Sequence, residues 1–172
     1  MSLFAPALLS RTEKLLAALR SRKLKLVTAE SCTGGLIAGL LTEIAGSSDV
    51  VERGFVVYSN EAKMSLLGVP ANVIELHGAV SEASARAMAE GAIRNSLADI
   101  AVSVTGIAGP GGGSAEKPVG LVHFGCAFRH GETAHRRFVF AKADRSEVRL
   151  RSVVAALDLI EAQFDSAATR LA

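Results

Sequence analysis

The sequence has few of the residues that are typical of nucleic-acid-binding proteins, disulfide-rich proteins or membrane proteins. It has no tryptophan and one tyrosine among 172 residues, so stacking platforms for bases are scarce. Its 19 basic and 17 acidic residues leave a net charge of +2, which gives no basic footprint for nucleic acid. Two cysteines cannot build a disulfide framework. No apolar run approaches the ~20 residues of a membrane helix. These absences predict no nucleic-acid partner and no membrane partner.

The first residues also lack a targeting signal, because residues 1–6 have neither a basic start nor a long apolar stretch. We therefore predict a cytoplasmic protein whose cysteines are reduced thiols. The chain is 49% hydrophobic and 21% charged, a composition typical of a soluble globular protein. Its length suits a single domain over residues 1–172 with a sizeable core.

Two common phosphate-binding motifs are missing as well. The sequence contains neither Gly-x-x-x-x-Gly-Lys-Ser/Thr nor Gly-x-Gly-x-x-Gly, which argues against a P-loop NTPase and a standard dinucleotide fold. A metal site also has little support, because the histidines are scattered and none stands at ligand spacing from a cysteine or carboxylate. They are His77, His123, His130 and His135.

The most informative stretch that is present runs from Val27 to Gly35. A short apolar run leads into Glu30, Ser31, Cys32, Thr33 and two glycines, and apolar residues then recur at helical spacing over residues 36–44. This pattern predicts a buried strand, a tight turn and a helix whose first N–H groups are free to favour an anion. Ser31 would stand at the end of the strand as a candidate nucleophile. A serine before a helix is also an ordinary cap, so the residues around it in the fold must decide between a nucleophile and a cap.

Strand and helix patterns alternate along the rest of the chain. Apolar and β-branched runs predict strands at residues 24–27, 54–59 and 100–104, and a hairpin at 119–128 and 133–140. Polar caps predict helix starts at Ser10 with Glu13, at Asn60, at Ser81 and at Asp144 with Glu147. The order predicts an α/β fold: a layered α-β-α domain with a mixed sheet covered by helices on both faces.

Three of the predicted strand ends carry polar or glycine residues: Ser31–Gly35, Tyr58–Lys63 and Thr105–Gly109. Ligands of such sheets bind beyond the carboxyl ends of the strands, so neighbouring strands would collect these groups in one cleft. Lys63 could serve as the base that a serine nucleophile requires, if burial lowers its pKa. The glycine turns could supply an oxyanion hole.

Each of these residues also has an ordinary structural interpretation. Most lysines are solvated surface charges, Tyr58 at a strand end is more often packing, and Thr105 with Gly106 is a common turn pair. Cys32 is an alternative nucleophile, although a buried and inert thiol is the commoner fate of such a residue.

Taken in order, these loops resemble the C-terminal domain of the competence/damage-inducible protein CinA, the nicotinamide-nucleotide amidase family. The resemblance covers most of the chain between Thr28 and Gly120. It is carried by Ala29-Glu30-Ser31-x-Thr33-Gly34-Gly35, Gly46-Ser47-Ser48, Val57-Tyr58-Ser59-Asn60-x-Ala62-Lys63, Leu67-Gly68-Val69, His77-Gly78-Ala79-Val80-Ser81-Glu82, Thr105-Gly106-Ile107-Ala108-Gly109-Pro110-x-Gly112-Gly113 and Lys117-Pro118-Val119-Gly120.

The resemblance implies an amidohydrolase that converts nicotinamide mononucleotide to nicotinic acid mononucleotide and ammonia, returning the product to NAD synthesis. By position, Ser31 matches the nucleophile, Lys63 its base and Tyr58 an assisting or orienting group. Cys32 falls on the motif position that is written x, where the residue type is not fixed, and this makes Cys32 a weaker candidate for the nucleophile. No metal or organic cofactor is implied. The expected substrate-binding residues are Glu30, Thr33, Gly34, Gly35, Asn60, Thr105, Gly106 and, by its charge at the start of the last helix, Arg145.

Many family members carry this domain behind a larger domain that resembles molybdopterin-binding proteins. Only a short segment precedes the first predicted helix here, so we expect the stand-alone form. We also expect a homo-oligomer, as is common for small metabolic domains. Two other functions stay open at this point: a non-catalytic nucleotide-binding or regulatory module, and a Ser–Lys hydrolase of another amide.

Overall fold

The computed structural model describes residues 2–170, which form six α-helices and five β-strands. The helices are α1 (Pro6–Ser21), α2 (Leu36–Thr42), α3 (Asn60–Leu67), α4 (Ala71–His77), α5 (Glu82–Arg94) and α6 (Arg145–Arg170). The strands are β1 (Leu26–Glu30), β2 (Val51–Val56), β3 (Ile100–Gly106), β4 (Leu121–Phe128) and β5 (Ala134–Val139). A short 3₁₀ turn at Ser47–Asp49 precedes β2.

The strands form one mixed sheet in the order β2-β1-β3-β4-β5. Strand β1 runs parallel to both β2 and β3, which the intervening helical connections allow. Strands β3, β4 and β5 are successively antiparallel, so the predicted hairpin is confirmed. Because β1, β2 and β3 are parallel neighbours, their carboxyl ends meet at the same edge of the sheet.

Helices cover both faces of this sheet, which confirms the layered α-β-α prediction. On one face the core cluster joins α1, α2 and α6 to the strands through residues such as Leu16, Ile37 and Phe124. On the other face α3 and α5 contribute Leu67 and Met88. Strand β1 is buried along its whole length, as expected for a central parallel strand.

Three element predictions are wrong in detail, and the first is strand β1, which covers Leu26–Glu30 and not residues 24–27. Helix α1 begins at Pro6 and not at Ser10, because extended Ala5 precedes a proline whose fixed φ suits the first helical position. Strand β2 covers residues 51–56 and not 54–59, and it is partly exposed because it lies at the edge of the sheet. An edge strand accepts charged residues such as Glu52 and Arg53, which the apolar pattern did not include.

The predicted caps are otherwise close to the observed ones. Ser81 caps α5 by accepting the Ser84 N–H, and Asp144 and Glu147 form a reciprocal capping box before α6. Helix α3 differs by one residue, since the cap is Ser59 and Asn60 is the first helical residue. This shift matters for the site, because the Asn60 side chain is then not the one that caps the helix.

Helix α5 packs so closely on the end of α3 that one of its positions requires glycine. A Cβ on Gly91 would lie 2.1 Å from the Leu67 carbonyl oxygen, whereas a Cβ on Gly39 of α2 would meet nothing within 4 Å. We therefore expect Gly91→Ala to lower the free energy of unfolding by at least about 2 kcal/mol despite alanine's better helix propensity. Urea unfolding measures this, and Gly39→Ala, expected to gain about 0.5–1 kcal/mol, is the matched control. Equal effects of the two substitutions would contradict the close packing.

No helix within residues 2–170 combines the length and the apolar character needed to cross a bilayer.

Candidate active site

A cavity of about 190 Å³ opens where the carboxyl ends of β1, β2 and β3 meet. It brings together the three loops that the sequence singled out, together with two residues of the α4–α5 connection. Its wall consists of Ser31, Cys32, Tyr58, Asn60, Lys63, Ala79, Val80, Thr105, Gly106, Ala108 and Arg145.

Ser31 and Lys63 are in direct contact at the floor of this cavity. Ser31 follows the last residue of β1, and its N–H donates to the Val104 carbonyl at 3.0 Å, which holds the turn against β3. Lys63 lies in the first turn of α3, and its Nζ is 3.1 Å from Ser31 Oγ. The pair therefore has the hydrogen-bond geometry that a nucleophile and its base require.

The surroundings of Lys63 favour its neutral form. The residue is 1% exposed, and this burial lowers the pKa of its amine from the ordinary value. Besides Ser31, its Nζ contacts three carbonyl oxygens: Val57 at 3.1 Å, Tyr58 at 3.2 Å and Ser59 at 3.5 Å. A neutral amine that donates to the two nearer carbonyls keeps its lone pair for the Ser31 hydroxyl proton.

Cys32 also lines the cavity, yet its thiol is poorly suited to attack. The side chain is buried, and burial raises the pKa of the thiol to about 12. A thiol with this pKa carries almost no thiolate at neutral pH, and the thiolate is the nucleophilic form. The geometry therefore favours Ser31 over Cys32.

Glu30 does not face the cavity. It is fully buried, and its carboxylate accepts hydrogen bonds from Thr33 Oγ1 at 2.7 Å and from the N–H groups of Gly35, Ile37 and Ala38 at 2.9–3.1 Å. This corrects the expectation that the start of α2 offers free N–H groups to a substrate anion, because the Glu30 carboxylate already occupies them. Thr33, Gly34 and Gly35 likewise lie outside the cavity wall.

The carboxylate of Glu30 is instead an anchor for the turn that carries Ser31. Glu30→Gln would replace one carboxylate oxygen by an NH₂ group facing N–H donors, leaving buried donors unsatisfied. We expect the free energy of unfolding to fall by about 2–4 kcal/mol, measured by urea denaturation. Glu43→Gln, at the exposed end of the same helix, is the control and should change stability by less than about 0.5 kcal/mol. Similar small losses for both variants would contradict this role.

Tyr58 and Arg145 form the mouth of the cavity. Arg145 donates to the Tyr58 hydroxyl at 3.0 Å and to the Gly109 carbonyl at 2.7 Å, so it bridges the β2 and β3 loops. Tyr58 is 62% exposed, and its contact with Lys63 is made by its carbonyl and not by its phenol. Asn60 stands beside them as the first residue of α3. This group is placed to contact the outer part of a ligand.

Thr105 and Gly106 form another part of the cavity wall. The Thr105 hydroxyl donates to the Ala79 carbonyl at 2.8 Å, which fastens the α4–α5 connection over the cavity. Lys117 donates to the His77 carbonyl at 2.6 Å and so ties the glycine-rich loop to the same connection. The segment around Ala79 and Val80 belongs to the family motifs, but the sequence did not predict that it lines the site.

Sequence reasoning also missed Arg149. It lies one helical turn after Arg145 on α6, and its Nη2 donates to the Thr33 carbonyl at 3.0 Å. The spacing of four residues places both arginines on the same face of α6. That spacing was the available clue, although nothing in the sequence identified the carbonyl that Arg149 would reach.

A larger concavity of about 580 Å³ lies elsewhere, between α5 and the β4–β5 hairpin. Two of its arginines, Arg86 and Arg129, are engaged in structural contacts. Arg129 donates to the carbonyls of Ile93, Ser96 and Ala98, and Arg86 donates to the Thr133 carbonyl. Its hydroxyl–carboxylate pair, Thr133 Oγ1 donating to Glu90 at 2.9 Å, is exposed, whereas the Ser31–Lys63 pair is buried, so size alone does not make this concavity the active site.

The histidines show no metal-binding arrangement within residues 2–170, where no three His, Cys, Asp or Glu side chains are grouped to hold an ion. His123 and His135 instead contact each other, with Nδ1 and Nε2 2.9 Å apart. Burial lowers the pKa of His123 to about 4. The two rings form a contact between β4 and β5.

Comparison with known proteins decides the family. The protein-family model named CinA C-terminal domain matches residues 9–164. The chain belongs to the CinA C-terminal domain family. It is 49% identical over 157 residues to a nicotinamide-nucleotide amidohydrolase, PncC, of Escherichia coli K12, covering 91% of this chain and 94% of that protein. It is 52% identical over 145 residues to a CinA-like protein of Akkermansia muciniphila, covering 84% of this chain and 35% of that longer protein.

Solved structures of the CinA family agree with the fold. The competence/damage inducible protein CihA from Agrobacterium tumefaciens superposes with a TM-score of 0.92 at 51% identity, over 94% of this chain and 98% of that one. A CinA superfamily protein from Klebsiella pneumoniae gives a TM-score of 0.87 at 35% identity, over 92% and 98% of the two chains. The chain spans only about a third of the length of some longer relatives, so activities of those whole proteins do not transfer by similarity alone.

Proposed function

We propose that this CinA-family chain is a nicotinamide mononucleotide deamidase, a hydrolase of a linear amide. The observation that carries the proposal is the 3.1 Å contact between Ser31 Oγ and the buried Lys63 amine at the floor of a cavity. Support also comes from the E. coli relative named nicotinamide-nucleotide amidohydrolase, which aligns over nearly its whole length.

In the first half of the reaction Lys63 Nζ takes the proton of the Ser31 hydroxyl, and Oγ attacks the carboxamide carbon. The carbonyl oxygen becomes an oxyanion in a tetrahedral intermediate. Lys63, now protonated, gives that proton to the amide nitrogen. The C–N bond breaks, ammonia leaves, and the nicotinoyl group remains as an ester on Ser31.

In the second half water replaces ammonia. Lys63 removes a proton from a water molecule, the hydroxide oxygen attacks the ester carbonyl, and the bond to Oγ breaks. The proton returns to Ser31 through Lys63. The product is nicotinic acid mononucleotide, which is suited to re-enter NAD synthesis. Every step uses the same two side chains, and none calls for a cofactor.

The mouth of the cavity suits the phosphate end of the substrate. Arg145 is a fixed guanidinium beside Tyr58 and Asn60, while the nucleophile lies deeper. With the carboxamide at Ser31, the ribose phosphate would extend toward this cation, which can bind phosphate oxygens through two N–H groups. Thr105 and Gly106 would line the pyridine ring.

The deciding experiment is ammonia release measured in parallel from nicotinamide mononucleotide, nicotinamide riboside and nicotinamide. We expect turnover with the mononucleotide and at least about tenfold lower kcat/KM without the phosphate. Arg145→Met should remove most of that difference, because it removes the phosphate partner. Ser31→Ala serves as the inactive control for contaminating amidases.

Other outcomes would redirect the proposal. Turnover of a different amide with none of the mononucleotide would indicate a Ser–Lys amidase of another substrate. Nucleotide binding without turnover, equal in wild type and Ser31→Ala, would indicate a binding or regulatory module. Either result would overturn the deamidase proposal.

We also propose a cytoplasmic location, supported by two buried free thiols, Cys32 and Cys126, which suit a reducing compartment. Self-association as a homo-oligomer stays a prediction, and light scattering coupled to size-exclusion chromatography tests it.

A further inference from the structure

The turn after β1 uses nearly all of its backbone N–H groups internally. Ser31 N–H donates to Val104, Gly34 N–H donates to the Ser31 carbonyl at 3.1 Å, and Leu36 N–H donates to the Thr33 carbonyl. The N–H groups of residues 35, 37 and 38 donate to Glu30. Within the described part of the chain, the N–H groups of Cys32 and Thr33 remain without an oxygen acceptor.

Of these two residues, Cys32 lines the cavity beside Ser31 and Thr33 does not. The Cys32 thiol beside this N–H is at most a weak acceptor, so an anionic oxygen can bind the N–H in its place. The N–H of the residue after a nucleophile is well placed for the oxygen of the group under attack, since both belong to the same turn.

Arg149 is connected to this N–H through the backbone. Its Nη2 donates to the Thr33 carbonyl at 3.0 Å; the same peptide group carries the Gly34 N–H, which donates to the Ser31 carbonyl at 3.1 Å. The Ser31 carbonyl and the Cys32 N–H again belong to one peptide group. A cationic donor at one end of such a chain polarises every link and strengthens the last N–H as a donor.

We infer that the Cys32 backbone N–H is the oxyanion donor of the site, and that Arg149 is a positioning residue that strengthens this donor through the Thr33 and Ser31 peptide groups. The inference rests on the proposed amidase function and adds to it a residue that contacts neither substrate nor nucleophile. The Arg149 Nε is buried and has no hydrogen-bond partner among the described residues, whereas its Nη2 donates to the Thr33 carbonyl. Its position on α6 thus directs its charge at the turn.

The test compares wild type, Arg149→Met, Arg149→Gln and Arg149→Lys in ammonia release from nicotinamide mononucleotide. Removal of a whole oxyanion donor costs about 10²–10³ in kcat, so loss of its polarisation should cost about 10- to 100-fold. We expect this fall for the Met and Gln variants with KM within about twofold, and substantial recovery for the Lys variant, which keeps the charge. Arg151→Met, an exposed arginine on the same helix, is the matched control and should keep wild-type kcat.

A second readout needs no pyridine nucleotide. The rate at which a fluorophosphonate labels Ser31 depends on the nucleophile and on the oxyanion donor, and it should fall in the same order across the variants. Calorimetric binding of nicotinamide mononucleotide to Ser31→Ala should be unchanged by adding Arg149→Met, because the polarised N–H acts on the transition state.

The outcomes separate this inference from the proposed function. A wild type that labels but releases no ammonia would overturn the deamidase proposal, and the order of labelling rates would still decide the role of Arg149. An active wild type with an equally active Arg149→Met, or a loss confined to KM, would overturn the inference. If Arg149→Met does not fold, Arg149→Gln against Arg149→Lys decides, since equal rates for these two would show that the charge has no role.

Discussion

Ser31→Ala is expected to lower kcat for ammonia release by at least about 10⁴-fold, the largest effect of any substitution in this chain. In the proposed mechanism this hydroxyl forms the covalent ester, and the buried Cys32 thiol beside it is poorly suited to replace it. Its loss removes one side-chain hydroxyl and leaves the backbone contact with Val104 intact. Substrate binding measured by calorimetry should therefore persist, with the dissociation constant within a few-fold of the KM of the wild type.

The neighbouring position provides the control for Ser31. Cys32→Ala also truncates a buried side chain of the cavity wall, but its thiol has a pKa raised to about 12 and no expected part in the chemistry. We expect kcat within about threefold of wild type, with a modest loss of stability from the lost packing. Loss of turnover in Cys32→Ala together with activity in Ser31→Ala would contradict the assignment of the nucleophile.

The sequence was sufficient to predict that Ser31 and Lys63 lie together, because their placement depends on topology. Ser31, Lys63 and Thr105 each follow or terminate a strand, and parallel neighbouring strands bring their carboxyl ends together. Once β1, β2 and β3 are parallel neighbours, the three loops must meet. The family motifs then named the members of the pair, and the 3.1 Å contact agrees with them.

The functions of Glu30 and Arg149 depend on side-chain direction, which the sequence pattern did not supply. A carboxylate next to a glycine turn fits a substrate ligand and a helix anchor equally well, and only its four donors identify Glu30 as the anchor. Arg149 acts on a carbonyl more than a hundred residues earlier in the chain. Its contact arises from the packing of α6 against α2, a long-range relation that periodicity does not encode.

Lys63→Met should reduce kcat/KM by at least about 10³-fold, because it removes the group that takes and returns the proton in both halves of the proposed reaction. Methionine nearly matches the length and the apolar stem of lysine, so the buried site stays filled. Lys63→Arg is the informative second variant. A guanidinium keeps the donors but stays protonated at every accessible pH, so it should be as inactive as Met if Lys63 is the base. Substantial activity in Lys63→Arg would show that this position supplies a charge and not a base.

The pH dependence supplies a second test of the same role. A base acts in its neutral form, so kcat/KM of the wild type should rise with pH through the Lys63 pKa, which burial lowers from its ordinary value, and then level off. The stability of the folded state also rises with pH. The unfolded chain binds a proton at Lys63 at a higher pH than the folded chain does, so the stability of the folded state falls as pH falls from the ordinary lysine pKa toward the lowered one. Lys63→Met should remove both the rising limb of the rate profile and this part of the pH dependence of unfolding. A rate profile that keeps its rising limb in the residual activity of Lys63→Met would assign that limb, and with it the base, to another group.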